Sequence, residues 1–383
     1  MKKFVLLIAC LVLSFTLSAI GFGYHVLDIR TEVEFSKGIF PSSLLYQFNF
    51  PVPDLIGGSS TLFTFRLDNG LVYRYITQDP ATGKLYSKYP ELDVYKSDKE
   101  RSYSVQYDEF NLLMSQGFLN DKISLNASIG GRFEKAYERL FYLYDSSNLS
   151  GAFNSSPGVE RFSDWSAYPD LGTSRSAAHT FYNVGVVFGL LNDNITRKDG
   201  IEVDASFRAT VPLGNMLDGG NGDKVEFKRL SVGLSAAKTL FALDKANGMS
   251  WLSIVLGTDA HYRYLLGDKI PQYVIEGNLY GVTASPSNHL ITDRLYLNIY
   301  GPQLKLKDFY PYISLFHDFG YSFGSVINNG ESIKDWVGAF GFKAEYVLFN
   351  FCNLFYEVGY VYKNPFTDRE NVIEARFGFS VGV

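Results

Sequence analysis

Cysteine is nearly missing from this chain: only Cys10 and Cys352 occur among 383 residues. Cys10 lies in an apolar N-terminal stretch, so once that stretch is removed a single thiol remains. That excludes an intramolecular disulfide framework and a cysteine-built metal cluster. Charge is also sparse, at 20% of residues, and the formal net charge of −5 argues against nucleic acid as a partner. Beyond the first 20 or so residues there is no long uninterrupted apolar run, which excludes a multi-helix membrane protein. Recognisable chemistry is scarce too. The chain has no His-Glu-x-x-His pair, no phosphate loop and no paired-cysteine site. Its five histidines (His25, His179, His261, His289 and His317) are scattered, and nothing places a nucleophile beside one. No catalytic residue, cofactor or metal ligand is assigned from the sequence.

What is present begins with an export leader. Lys2 and Lys3 precede an apolar run from Phe4 to Ile20, and Ala19-Ile20-Gly21 offers small residues for cleavage. Residues 1–21 are expected to be a removed signal peptide, leaving 22–383 as a single domain. Two alternatives stand beside this. A retained anchor would need a longer run than this one, about 20 residues. A lipoprotein box at Leu7-Ile8-Ala9-Cys10 would have only about six apolar residues before its cysteine. Loss of Lys2 and Lys3 takes the formal charge from −5 to −7.

The main chain alternates apolar and polar residues with period two, which places successive side chains on opposite faces of a strand. From Trp251 to Tyr264, one face carries Leu252, Ile254, Leu256, Thr258, Ala260, Tyr262 and Tyr264. The other carries Ser253, Gly257, Asp259, His261 and Arg263, with Val255. The pattern recurs at 24–36, 121–135, 200–212, 335–348 and 352–363. Each run reaches the length of about 9–11 residues that a tilted strand needs to cross a bilayer. Aromatic residues are abundant, with 27 Tyr and 32 Phe, yet only 46% of the chain is hydrophobic. A barrel in lipid puts rings outside, at the two interfaces, and polar groups inside.

Connections between the strands alternate in length. Short ones carry Asn, Asp and Gly, which tolerate the dihedrals of tight turns: Asp68-Asn69-Gly70, Leu119-Asn120-Asp121, Asn192-Asp193-Asn194 and 244–248. Long ones span roughly 78–101, 136–178, 212–223, 265–289 and 325–334. The expected strands are 24–36, 43–50, 60–67, 71–77, 102–118, 121–135, 179–191, 200–212, 224–240, 250–264, 290–300, 310–324, 335–348, 352–363 and 371–383. This odd total conflicts with the even number that closes a single-chain bacterial barrel. The later strands keep consistent parity, so the excess lies before residue 102. The fold class is all-β: a transmembrane antiparallel up-and-down β-barrel of about 14 strands, with 12 or 16 as alternatives.

The chain ends Arg376-Phe377-Gly378-Phe379-Ser380-Val381-Gly382-Val383, with Ile373, Ala375, Phe377, Phe379, Val381 and Val383 on one face. This ending resembles the assembly signal of Gram-negative outer-membrane barrel proteins, with Arg376, Gly378, Val381 and Val383 at its characteristic places. It departs from that signal at Val383, where an aromatic residue is usual. The resemblance covers eight residues. It implies export, outer-membrane lipid as the surroundings, and insertion by a barrel assembly machinery.

Charged residues of both signs fall on the predicted inner faces: Glu32, Arg74, Arg132, Glu134, Glu202, Asp204, Arg208, Asp259, Arg263, Arg294, Asp318, Lys343, Glu345, Glu357, Glu374 and Arg376, with His261 beside them. A ring of one sign would select ions of the other; a mixed set suggests pairs across the lumen and weak net selectivity. Asp259, His261 and Arg263 share a face and read as a polar stripe rather than a catalytic or metal site. His317 falls on the apolar face and is expected at an interface. The 136–178 loop, with Asp145, Glu160, Arg161, Asp164, Trp165 and Asp170, is the candidate constriction because it is the longest. The reading is a porin-like channel for small polar solutes. Its alternatives are a transporter for hydrophobic compounds, suggested by the aromatic load, and a surface adhesin or anchor built on the barrel.

Overall fold

Alternation becomes geometry in the computed structural model, which describes residues 24–34, 41–56, 59–75, 84–86, 88, 91, 102–137, 176–194, 196–211, 225–246, 248–270, 272–275, 286–304, 309–327, 330–348, 352–366 and 371–382. Fourteen long strands form a closed antiparallel up-and-down barrel. They are β1 (Tyr24–Glu34), β2 (Ser42–Ile56), β3 (Ser59–Tyr75), β4 (Ser102–Phe118), β5 (Ile123–Tyr137), β6 (Ser176–Gly189), β7 (Arg197–Val211), β8 (Glu226–Asp244), β9 (Ser250–Lys269), β10 (Ser287–Tyr300), β11 (Phe309–Val326), β12 (Ser332–Leu348), β13 (Cys352–Lys363) and β14 (Val372–Gly382). Each pairs with its neighbour in sequence, and β1 closes on β14 over Asp28–Glu34 against Arg376–Gly382. A three-residue rung, Asn192–Asn194, folds back on the start of β7. Among the described residues one α-helix, α1 (Gln272–Ile275), follows β9. Among the described residues no helix is long and apolar enough to cross a membrane.

The sequence places a turn at Asp68-Asn69-Gly70, and the structure corrects this. These residues continue β3, paired with Ser43–Leu45 on one side and Tyr107–Glu109 on the other. Gly70 is there to make room: a Cβ on it would lie 2.7 Å from the ring of Tyr107. That ring turns inward and its hydroxyl donates to Asp68 Oδ1 at 3.1 Å. Segments 60–67 and 71–77 are therefore one strand, and the odd count becomes 14. The turn at Leu119-Asn120-Asp121 stands as expected, with φ of 53°, 56° and 61°. Strand β9 runs on to Lys269, beyond the loop boundary placed at residue 265. Most of 136–178, including its six named residues, lies outside the described residues, as do residues 1–21 and Val383.

The outer face carries the apolar half of the alternation. Leu112, Ile129, Val184, Leu295, Leu315, Phe342 and Phe377 are all exposed. Such a continuous apolar belt would associate in water, and lipid is the solvent that satisfies it. Towards the long-loop end the belt turns aromatic. His289 stacks on Tyr264 and Phe323, Trp336 on Phe319, and His317 shares a 2.8 Å hydrogen bond with the Tyr362 hydroxyl. His317 is thus on the outer face, in this girdle.

Candidate functional site

The functional candidates lie inside the barrel, beneath the long-loop end. Here the chain after β9 turns inward. Ile270, Val274 and Ile275 join Val225, Phe227, Leu265 and Ile327 in a buried apolar cluster, with Tyr273 packed against it. Burying these side chains seats α1 inside the mouth. Arg263, on the inner face of β9 and almost fully buried, fixes its position. The guanidinium donates to the carbonyls of Val274 (3.5 Å), Ile275 and Ser287 (3.1 Å). One cation therefore ties both the helix and the start of β10 to the wall. A second segment reaches across the mouth. Leu85, from the β3–β4 connection, packs with Val326, Ile333, Val337 and Phe366 near the opposite wall, and Lys88 donates to the Ser332 carbonyl at 3.1 Å.

Tyr273 is the keystone of this plug. Its hydroxyl shares a 2.6 Å hydrogen bond with His179 Nε2 and lies 3.5 Å from an Arg208 nitrogen. Its ring lies 4.1 Å beneath the Arg132 guanidinium, which stacks at the same distance over Tyr107. Burial holds the Tyr273 hydroxyl well above its ordinary pKa of 10.0, so it remains a neutral donor. Below it runs the first ion-pair network. Arg74 and Glu134, with side chains 0% and 1% exposed, make two parallel 2.9 Å bonds. Arg132 joins Glu134 at 2.7 Å and Glu109 at 2.9 Å, and Arg208 reaches Glu109 at 3.4 Å. Four strands, β3, β4, β5 and β7, are bridged in this way, across the intervening β6.

A second network braces the wall that contains the closure. Arg294 makes a bidentate pair with Asp318 at 2.7 and 2.6 Å and lies 3.9 Å from Glu357. Arg376 binds Glu357 at 2.7 Å and reaches Glu32 across the β14–β1 seam at 3.9 Å. Arg376 is thus a seam residue as well as part of the C-terminal motif. Gly378 beside it lies under the inward ring of Phe355, whose atoms would be 2.5 Å from an added Cβ. Lys343 pairs with Glu345, which accepts from the Tyr312 hydroxyl at 2.6 Å.

Of the residues expected on the lumen wall, Arg132, Glu134 and Arg208 fall in the first network, and Arg294, Asp318, Glu357 and Arg376 in the second. Lys343 and Glu345 form their own pair, and Arg263 holds the plug. Glu202, Asp204, Asp259 and His261 stand outside both networks, lower on the β7–β9 wall. Asp259, His261 and Arg263 do share a face, but Arg263 is committed to the mouth segment. Three features were not picked out from sequence: α1 as a plug, Tyr273, and Arg229. Arg229 lies directly opposite Arg208 in the register. The run Gly320-Tyr321-Ser322-Phe323-Gly324 has the spacing of a hydrolase nucleophile elbow. It lies within β11 and not at a strand-to-helix turn, and Ser322 is buried.

No family model matches the chain, and no curated protein matches it either. Among solved structures it is similar to BamA from Haemophilus ducreyi lacking POTRA domains 1–3, at 11% identity and a TM-score of 0.51, over 94% of this chain and 70% of that one. It also overlaps CdiB from Acinetobacter baumannii (9% identity, TM-score 0.46, 94% of this chain and 60% of that one). A bacterial polysaccharide outer membrane secretin overlaps at 9% identity and a TM-score of 0.38, over 94% of this chain and 98% of that one. At 11% identity the first likeness is one of fold, and it joins the apolar belt and closed sheet in a single conclusion: the chain has the fold of an outer-membrane β-barrel protein.

Proposed function

We propose that the protein is an exported outer-membrane channel for small polar solutes, its mouth narrowed by inward-folded loops. The observation that carries this reading is His261. It points inward on β9, walled by the barrel, yet it is exposed. An inward side chain left exposed has open space beside it, which supports a lumen wide enough for water. The charged inner wall supports the same reading, because unpaired polar groups facing a dry interior would be costly. Reconstitution in liposomes is the test. Correctly folded protein should give ion conductance and solute uptake; folded protein that gives neither would reject the channel.

The apolar clusters at the mouth favour a second reading, a transporter for hydrophobic compounds. The two are separated by uptake. A hydrophobic substrate would be carried by a barrel that passes no ions, whereas a polar channel conducts without one.

A further inference from the structure

We infer that the lumen wall beside α1 holds an oxyanion site built on Arg208 and Arg229, and that the solutes taken through the barrel are small phosphate- or carboxylate-bearing molecules. This rests on the channel reading and names its substrate class.

Arg208 on β7 and Arg229 on β8 are direct cross-strand partners, and both face inward. Like charges placed directly opposite destabilise a sheet unless something neutralises them. The protein supplies little that could. Glu109 reaches Arg208 at 3.4 Å but is engaged more closely by Arg132 at 2.9 Å. Arg229 Nε donates to Ser231 Oγ, a neutral acceptor, at 2.9 Å. No carboxylate pairs with Arg229 among the described residues, and Arg208 Nε is buried without an acceptor. The acids lower on this wall are too far away. Asp204 lies four residues along β7 from Arg208, about 13 Å at the rise of a strand. That exceeds the screening length of about 8 Å in a hydrated lumen.

The surroundings are donors as well. One register row below, Ser206 faces Ser231, and Arg263 faces Ser231 from β9. On the other side stands the Tyr273 hydroxyl, 3.5 Å from Arg208. Two guanidinium forks and two serine hydroxyls occupy adjacent inward register positions, beside a Tyr273 hydroxyl already engaged by Arg208 and His179. Their complement is a planar or tetrahedral group of oxygens with negative charge, which guanidinium binds bidentately. A solute that passes α1 meets this site next.

Two measurements test the site with inorganic phosphate as the probe. The first is reversal potential and chloride conductance of the reconstituted channel in a KCl gradient. Wild type should prefer anions, and millimolar phosphate should reduce the chloride current. R229A should lose the preference and the block, while R229K keeps the preference with a weaker block. The second is calorimetric titration of phosphate into detergent-folded protein, which needs no conductance. R229A should bind about tenfold more weakly, the loss expected for one charge-assisted contact. Arg229 is chosen because its removal relieves repulsion and leaves both ion-pair networks intact. Equal phosphate affinity in wild type and R229A, or no binding by wild type, would overturn the site. A folded protein that binds phosphate through Arg229 yet never conducts would reject the channel and leave the site standing.

Discussion

If Arg263 holds the mouth segment in place, replacing it should open the barrel, and the size of the effect follows from its contacts. The guanidinium makes close bonds to the Ile275 and Ser287 carbonyls and a longer one, 3.5 Å, to Val274. A hydrogen bond from a charged group contributes about 1.5–3 kcal/mol. Two close ones would total about 3–6 kcal/mol, but water entering a hydrated lumen can replace part of this. A net loss of about 2–3 kcal/mol is reasonable, which shifts a closed-to-open equilibrium by roughly 30- to 150-fold. The apolar packing of Val274 and Ile275 against Phe227 and Leu265 remains and opposes opening, so R263A should flicker rather than stay open. Single-channel recording in planar bilayers reads this directly, with longer and more frequent openings than wild type. The heat-dependent shift in gel mobility typical of barrels confirms that the variant is folded. Folded R263A with wild-type conductance and open probability would refute the idea that this residue restrains the mouth.

The other predictions concern the keystone, the buried pair and the seam. Y273F keeps the ring under Arg132 but loses the hydroxyl, so it should cost about 1 kcal/mol of closing energy relative to wild type and open less than Y273A, which loses the ring as well. Because the folded pKa of this hydroxyl is raised, its contribution to closure is complete below about pH 10 and declines above it. Wild type should therefore show alkaline opening that Y273F lacks, in recordings from pH 7 to 11. E134Q strips charge from a carboxylate between Arg74 and Arg132 and should cost about 3–5 kcal/mol in urea unfolding of the folded barrel. Replacing Arg74 and Glu134 together by apolar residues should recover much of that loss. G378A puts a methyl group against the Phe355 ring and the Thr31 carbonyl oxygen and should cost about 1–3 kcal/mol and slow folding, with F355A restoring only the part due to the ring.

Which features could be read from the chain depends on the range over which they are encoded. Strand faces were legible because period two is local: Leu252 to Tyr264 and Ser253 to Arg263 sort themselves without knowledge of any neighbour. The false turn at Asp68-Asn69-Gly70 shows the limit of local reading. Its composition suits a turn, but Gly70 serves Tyr107, some forty residues away, and only the register between β3 and β4 brings the two together. The alternation groups the charged residues on one face of each strand, yet their pairing was not legible. Whether Arg132 meets Glu109 or Glu134, or Arg376 meets Glu357, depends on stagger summed around the barrel. Arg229 was missed for a related reason. It follows Lys228, and two adjacent cations blur the alternation until Leu230, Val232 and Leu234 fix the outer face.

The mouth was the least legible part, and for a physical reason. A plug has no period of its own. Gln272–Ile275 is a single helical turn, far too short to form alone, and it exists because a wall of Phe227 and Leu265 buries it while Arg263 binds its carbonyls. Loop length pointed to 136–178 as the constriction, whereas the described constriction comes from the connection after β9, where apolar residues meet an inward arginine. Taken with the Arg208–Arg229 pair, this puts the mouth restraint and the proposed anion site on the same β7–β9 wall. Arg263 there holds the mouth segment, and among the described residues no carboxylate pairs with Arg229. An arriving anion would neutralise the same wall that carries the plug, so solute binding and mouth opening should be coupled through Arg208, which is Arg229's register partner and lies 3.5 Å from the Tyr273 hydroxyl.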